Sequence, residues 1–206
     1  MMKPLGLGYQ RIDMCQNFCM LYYLENVELT KCMTCGHSRY KPRTGMRKTL
    51  VAYKKLRYFS IIPRLQRLFM SLKTVEHMIW HQSHDVVDGV MLYYSDSEAW
   101  KHYNSVYPYF SAESRNMRLA LCTDGFNLFE SFAASYSCWS VILTIYNLPP
   151  VMCMRQKFMF FSMVIPGSNN LGRNIDVCFL PLIYELTKLW SSGALTYDVS
   201  RKQIFL

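Results

Sequence analysis

The sequence predicts a chain of the α/β (α+β) class, with a small cysteine-rich module in front and a strand-rich part behind. Three observations carry this. Four of the eight cysteines crowd the first 35 positions. Of 23 Lys and Arg residues, 12 lie between Lys31 and Lys73, a stretch without a single Asp or Glu, which leaves 11 against 14 acidic residues elsewhere. Beyond residue 115 the apolar residues fall into short β-branched and aromatic runs, then into helical spacing. With 206 residues and 51% hydrophobic content, the chain can bury one core plus a small stapled module, and general disorder is excluded.

The front module spans residues 10–40. Cys15 and Cys19 are separated by three residues, and Cys32 and Cys35 by two, with Gly36 following. Two close pairs with twelve residues between them form a zinc-ribbon pattern, because each pair on a tight turn offers two thiolates to one side of a tetrahedron. All four positions filled by protein predict a structural Zn2+ rather than a catalytic one. Gly36 lets the backbone turn its N–H groups toward the sulfurs. Alternatives remain. Cys15 and Cys19 are also at core spacing on a short helix, and Cys32-x-x-Cys35 is also a redox spacing, though without the βαβ pattern that usually accompanies it. A competing ligand set joins Cys32 and Cys35 to His77 and His81, which share a helix face with His84 near it, but a long gap precedes His77. The remaining cysteines, Cys122, Cys138, Cys153 and Cys178, sit singly in apolar sequence and are expected in the core as thiols.

The second part, 41–110, is predicted to be a basic, largely helical region that binds DNA. Arg43, Arg47, Lys48, Lys54, Lys55 and Arg57, followed by Arg64 and Arg67, are the candidate phosphate contacts, since clustered cations suit a polyanion. A solvated basic surface is the plainer reading of the same charges. Tyr40, Tyr53, Tyr58 and Phe59 interleave with them, and core packing is the expectation for these rings ahead of base stacking. Pro63 marks a helix start, with Leu65, Leu68 and Phe69 on one face. Lys73–His84 reads as a second helix, and Asp96-Ser97 as the cap of a third. Tyr107–Arg115 reads as a linker.

The third part, 115–206, predicts three strands and then a helix. Met117–Thr123 is the first strand, with Asp124-Gly125 at its end; Trp139–Tyr146 is the second; Phe158–Ile165 is the third, stopped by Pro166-Gly167. The order suggests an antiparallel meander. Asn174–Trp190 is an amphipathic helix with Ile175, Phe179, Leu182, Leu186 and Leu189 inward, Asp176 and Glu185 outward, and Gly193 as its stop. Asp124 is the candidate catalytic carboxylate, since a strand end fixes an oxygen for a divalent ion; as a dipeptide, Asp-Gly is first a turn. Asp198, after the helix, is a weaker second candidate that could begin a fourth strand.

No long apolar stretch opens the chain, so no secretory signal is expected. Ser131–Met154 holds 24 consecutive uncharged residues, but its serines, Asn147 and Pro149-Pro150 predict a buried strand and no membrane association.

Further residues bring a resemblance. These are Leu5-Gly6-Leu7-Gly8-Tyr9; Ile12-Asp13 with Cys15, Asn17 and Cys19-Met20-Leu21; Cys32, Cys35-Gly36 and Arg39-Tyr40-Lys41-Pro42; and Leu56-Arg57-Tyr58-Phe59 with Ile62-Pro63-Arg64-Leu65-Gln66-Arg67-Leu68. His77-Met78 and Trp80-His81, then Asp96, Glu98-Ala99-Trp100-Lys101-His102, follow in order. Arg118-Leu119, Leu121-Cys122-Thr123-Asp124-Gly125-Phe126, Tyr136-Ser137-Cys138-Trp139 and Tyr146-Asn147-Leu148-Pro149-Pro150 come next. Leu180-Pro181-Leu182-Ile183, Glu185-Leu186 and Thr196-Tyr197-Asp198 complete the set. Together they resemble the transposases of plant CACTA (En/Spm-type) elements over nearly the whole chain.

The resemblance implies a cut-and-paste DNA transposase whose RNase H-like core uses Mg2+ or Mn2+ on three acidic residues. It maps the first acidic position to Asp124. The second follows a fourth strand and the third lies further on, in sequence that the family carries past its Thr-Tyr-Asp segment. The chain stops at Leu206. The expectation is therefore an N-terminal part with a truncated RNase H-like core, strand cleavage lost, Asp198 a poor substitute, and an open sheet edge where the fourth strand would pair. The resemblance implies a nuclear location and DNA at transposon ends as partner, with self-association or pairing with full-length transposase. A non-enzymatic, zinc-dependent DNA-binding or dimerising regulator derived from such a transposase is the alternative.

Overall fold

A computed structural model describes residues 8–42, 49–87, 89–127, 137–167 and 174–206. The fold is mixed α and β, built on a five-stranded antiparallel sheet. Its strands are β1 (Gln10–Met14), β2 (Lys54–Tyr58), β3 (Leu119–Asn127), β4 (Ser137–Ile145) and β5 (Phe160–Gly167), in the spatial order β1-β2-β5-β4-β3. A separate two-stranded ribbon joins β6 (Thr196–Asp198) to β7 (Gln203–Phe205). The predicted run of three strands and a helix is present: β3, β4 and β5 form the meander, and the helix Ile175–Ser192 follows. β3 stands at one edge of the sheet, and Leu121 and Cys122 on it are exposed, so Cys122 is not the core residue expected, while Cys138, Cys153 and Cys178 are buried.

The chain forms two compact units. The first comprises Met1–Ser60, Thr123–Val141 and Phe161–Ser191. Here β1 pairs antiparallel with β2, placing Arg11 opposite Arg57, Ile12 opposite Leu56 and Asp13 opposite Lys55. β2 in turn pairs with β5, Arg57 opposite Val164 and Tyr58 opposite Met163. Lys54–Tyr58 lies in the region predicted to be helical and is a strand instead. Leu56 and Tyr58 are buried while Arg57 is exposed, a period of two that three charged residues mask in a five-residue run. Tyr58 and Phe59 pack in the core, as expected of those rings.

The long helix of this unit buries Cys178, Pro181, Leu182 and Glu185. The Cys178 Sγ lies 3.7 Å from the Met14 Sδ on β1. The buried stripe is thus rotated from the predicted one, and Glu185, expected at the surface, is inside. The hydroxyls of Tyr58 and Ser60 donate to its carboxylate, which is how a carboxylate is kept in a core. Pro181 removes one intrahelical hydrogen bond in the middle of the helix, and its ring is buried.

Asp124-Gly125, expected to end a strand, lies inside β3. Gly125 serves close approach: a Cβ built there would stand 3.1 Å from Trp139 Cε2. The indole covers the glycine across the strand pair, so the residue that signals a turn instead makes room for a ring.

The second unit comprises Ile61–Cys122, Ile142–Phe160 and Ser192–Leu206. Helix α1 (Ile62–Phe69) starts at Pro63 as predicted and buries Leu65, Leu68 and Phe69. The Phe69 ring meets Phe205 edge-on at 4.9 Å, and the Val199 N–H donates to the Phe69 carbonyl at 3.1 Å. The expected helix over 73–84 is broken into a 3-10 turn, Val75–Ile79, and the short α2 (Trp80–Ser83). Thr74 does not cap it; its hydroxyl bonds back to the Leu68 and Ser71 carbonyls. Ser97 does cap α3 (Glu98–Val106), its Oγ accepting from the Trp100 N–H at 3.2 Å. The predicted linker contains a helical turn, α4 (Pro108–Ala112), and leads to a buried Arg115 paired with Glu113 and Asp198. Those two pairs tie down a segment that composition alone reads as loose.

Candidate functional site

The front module is two knuckles. In the first, β1 runs into Cys15, the Cys15 N–H donates to the Met20 carbonyl at 3.0 Å, and Phe18 takes a positive φ of 60° to turn the chain. In the second, the Cys32 N–H donates to the His37 carbonyl at 2.8 Å, and the Gly36 N–H to the Cys32 carbonyl at 2.9 Å. Gly36 has φ 71°, the left-handed region where a side chain is strained. The predicted reason for a glycine at this position is thus met.

The knuckles bring together Cys15, Cys19, Cys32 and Cys35, whose sulfurs all lie within 4.8 Å of one another. Cys15 and Cys35 Sγ are 3.4 Å apart. Four thiolates on one tetrahedral ion with bonds near 2.3 Å would have sulfurs about 3.8 Å apart, so the donor set, its count and its spacing fit a metal ion such as zinc. All four cysteines are free thiols. The Asn17 N–H points at the Cys15 Sγ from 3.4 Å. A backbone N–H at His37 draws the Cys35 thiol down to about 6, and burial pushes Cys15 up to about 12. Among the described residues no other group of three or more His, Cys, Asp or Glu side chains gathers to hold an ion. The set that included His77 and His81 finds no support: His77 is exposed, and the His81 ring packs on Trp100.

Around the cluster, Met20, Tyr22 and Leu29 form a small apolar core. Arg39 ties it to the sheet. Its Nε donates to Asp13 Oδ2 at 2.9 Å, one Nη to the Leu29 carbonyl at 3.1 Å, and the guanidinium lies 4.7 Å from the Tyr22 ring centre. Asp13 also meets the Lys55 ammonium at 4.0 Å.

β1 and β2 place the basic side chains. Arg57 and Lys55 project from the same face as their cross-strand partners Arg11 and Asp13. Arg11 and Arg57 are both exposed. Arg11 also donates to the Tyr9 hydroxyl at 3.0 Å, and that bond draws the phenol below its usual range. Sequence reasoning missed Arg11 because it precedes the basic run; only strand pairing sets it beside Arg57. Lys54 lies on the other face, its ammonium 3.3 Å from the centre of the Phe18 ring, and burial lowers its pKa. In the second unit Arg67 is exposed on α1, and Arg64 lies 5.2 Å from the Phe160 ring centre. Arg43, Arg47 and Lys48 fall outside the described residues.

Asp124 is exposed on β3. Asp198, expected to begin a strand, instead ends β6, where it is 2% exposed. Its Oδ1 accepts from the backbone N–H groups of Ser200 and Arg201, both at 3.0 Å, and from the Ser200 hydroxyl, while Oδ2 faces Arg115 Nη1 at 3.5 Å. Burial would raise its pKa; these donors overcome that and lower it. The carboxylate is occupied in shaping the β6–β7 turn.

The family model described as Transposase family tnp2 matches residues 88–206. No curated protein and no solved structure matches the chain.

Proposed function

This chain belongs to the tnp2 family of transposases, and on that premise we propose that it is a nuclear DNA-binding protein of the plant CACTA (En/Spm-type) lineage. In this reading a structural zinc ion on Cys15, Cys19, Cys32 and Cys35 stiffens the front module. The sheet face carrying Arg11, Lys55 and Arg57 then engages the phosphates of transposon ends. Arg64 and Arg67 on α1 are further proposed phosphate contacts, as are Arg43, Arg47 and Lys48.

The carrying observation is the cross-strand pair Arg11–Arg57, both exposed. Like charges directly opposite on one face are destabilising. A polyanion relieves that repulsion, and phosphates also release counterions on binding. The four-thiolate cluster supports zinc, because a soft, closed tetrahedral set leaves no open position for substrate. Strand cleavage is not part of the reading. Among the described residues Asp124 is not gathered with two further acidic ligands, and one carboxylate does not hold two divalent ions. Such a protein competes with, or pairs with, a full-length transposase at the same DNA ends.

The test measures affinity for duplex DNA at several salt concentrations. Binding should weaken steeply with salt, and Arg57→Ala should lower the slope of log K against log[salt] by about 0.9. No binding, or binding indifferent to salt, removes the reading. A nuclease assay with Mg2+ or Mn2+ should show no cleavage; robust cleavage abolished by Asp124→Ala would replace it with an enzymatic one.

A further inference from the structure

A cavity of about 340 Å³ lies within the second unit. His81, His84, Trp100, Lys101, Asn104 and Arg118 are among the side chains that line it, and no Asp or Glu is. None of these residues belongs to the sulfur cluster or to the basic strand face.

Arg118 is one of the cations that line it. The residue immediately precedes β3, and its backbone is fixed: the N–H donates to Asn147 Oδ1 at 2.7 Å, and the carbonyl accepts from the Tyr146 N–H at 2.9 Å. The guanidinium lies 3.9 Å from the Trp100 ring centre, with Tyr103 at 5.2 Å and Phe110 at 5.5 Å. Aromatic rings cover the flat faces of a guanidinium and leave its N–H edges to find acceptors. One of its amino nitrogens, Nη2, donates to the Asn104 side-chain oxygen, and the Nε has no partner among the described residues. No carboxylate forms an ion pair with it among the described residues, and burial lowers its pKa, with only the Tyr103 phenol acting against that. A half-buried cation without a counter-charge loses part of its hydration with nothing in return.

The neighbours add donors. His81 is 7% exposed, its ring meets Trp100 edge-on, and its Nδ1 has no partner among the described residues. Burial holds its pKa near 4, so the ring is neutral at pH 7 and presents one N–H. His84 is already engaged, its Nε2 lying 2.6 Å from Asp96 Oδ1. Lys101 contributes a second cation, tied to Glu98 at 2.8 Å in an exposed pair of small energetic worth.

We propose that this cavity binds a phosphate group, which accepts from the N–H edge of Arg118 and from the Lys101 ammonium. Guanidinium forks match phosphate oxygens, and the charge the cavity lacks is the one phosphate brings. The volume is at the lower end of small-molecule sites, roughly 300 Å³ and upward, and admits a phosphate with its sugar. We take that phosphate to be one of the DNA backbone; only this choice of source rests on the DNA-binding function proposed above.

The experiment uses the full chain, as wild type, Arg118→Gln and Lys101→Gln. Labelled duplex DNA is titrated at several salt concentrations, and inorganic phosphate is titrated separately by calorimetry. Arg118→Gln should weaken DNA binding about tenfold and flatten the log–log salt slope by about 0.9; a packing defect would change affinity without changing that slope. Circular dichroism and Tm verify folding. Should Arg118→Gln fail to fold, Lys101→Gln at the exposed position carries the test, with a drop of about threefold and a flatter slope. Phosphate that binds wild type but neither variant, with DNA slopes unchanged, supports the site and assigns it a free phosphate. Arg118-dependent phosphate binding in a chain that binds no DNA keeps the site and removes the DNA-binding function. Slopes unchanged in both variants together with no phosphate binding overturn the proposal and leave DNA binding through β1 and β2 standing.

Discussion

His81 is kept neutral by burial and by the Arg118 charge, which together pull its pKa from 6.5 to about 4. The unfolded chain therefore takes up the proton first as pH falls. Stability from this group is intact above pH 6.5 and declines between pH 6.5 and about 4. The full loss is on the order of 3 kcal/mol, from about 1.4 kcal/mol per unit of pKa. His81→Gln should flatten the acid side of the stability profile measured by urea unfolding. An unchanged profile would show that the ring charges freely in the folded state. The same scale separates readable residues from hidden ones. The four cysteines and Gly36 announce themselves by spacing. His81, Glu185 and Arg118 do not, because their properties come from neighbours such as Trp100, Tyr58 and Asn104 that lie elsewhere in the chain.

Among the elements, those with a local signal were legible. Pro63 opens α1, Ser97 caps α3, and β3, β4, β5 and the long helix fall close to their expected positions. Gly193, after the long helix, has φ 65°, and a Cβ there would stand 2.7 Å from Leu206 Cγ. Gly193→Ala should cost about 1–2 kcal/mol through left-handed strain alone, read as a lower urea midpoint at constant slope. Gly193→Asn should cost less, since asparagine tolerates that region; equal midpoints for all three would show that the helix end is not constrained. The elements that were missed are short or hidden by charge. β2 carries Lys54, Lys55 and Arg57 in five residues, and β6 and β7 are three residues each, too few for periodicity to register.

For the whole molecule, the proposed zinc ion would make folding and metal loading one equilibrium in the front module, because no preformed site exists in an unfolded chain. One zinc per chain is expected by elemental analysis. Chelation should lower Tm and weaken DNA binding together, and Cys32→Ser should do the same, its thiol being buried within the cluster. A metal-free chain with unchanged Tm and salt-dependent DNA binding would separate the module from metal altogether. Loading requires deprotonated thiols, so it should fail as pH falls.

Sequence by itself determined the cysteine spacing, the uneven charge, and the order of three strands and a helix, since these depend on neighbours within one turn or one strand. Tertiary structure decided that Arg11 stands beside Arg57, that Glu185 is buried against a tyrosine 127 residues away, and that Arg118 lies against three aromatic rings. Local periodicity reports which face of an element turns inward. Which partner waits there is settled only when distant segments pair and exclude water, and every buried charge must then find or lack its complement.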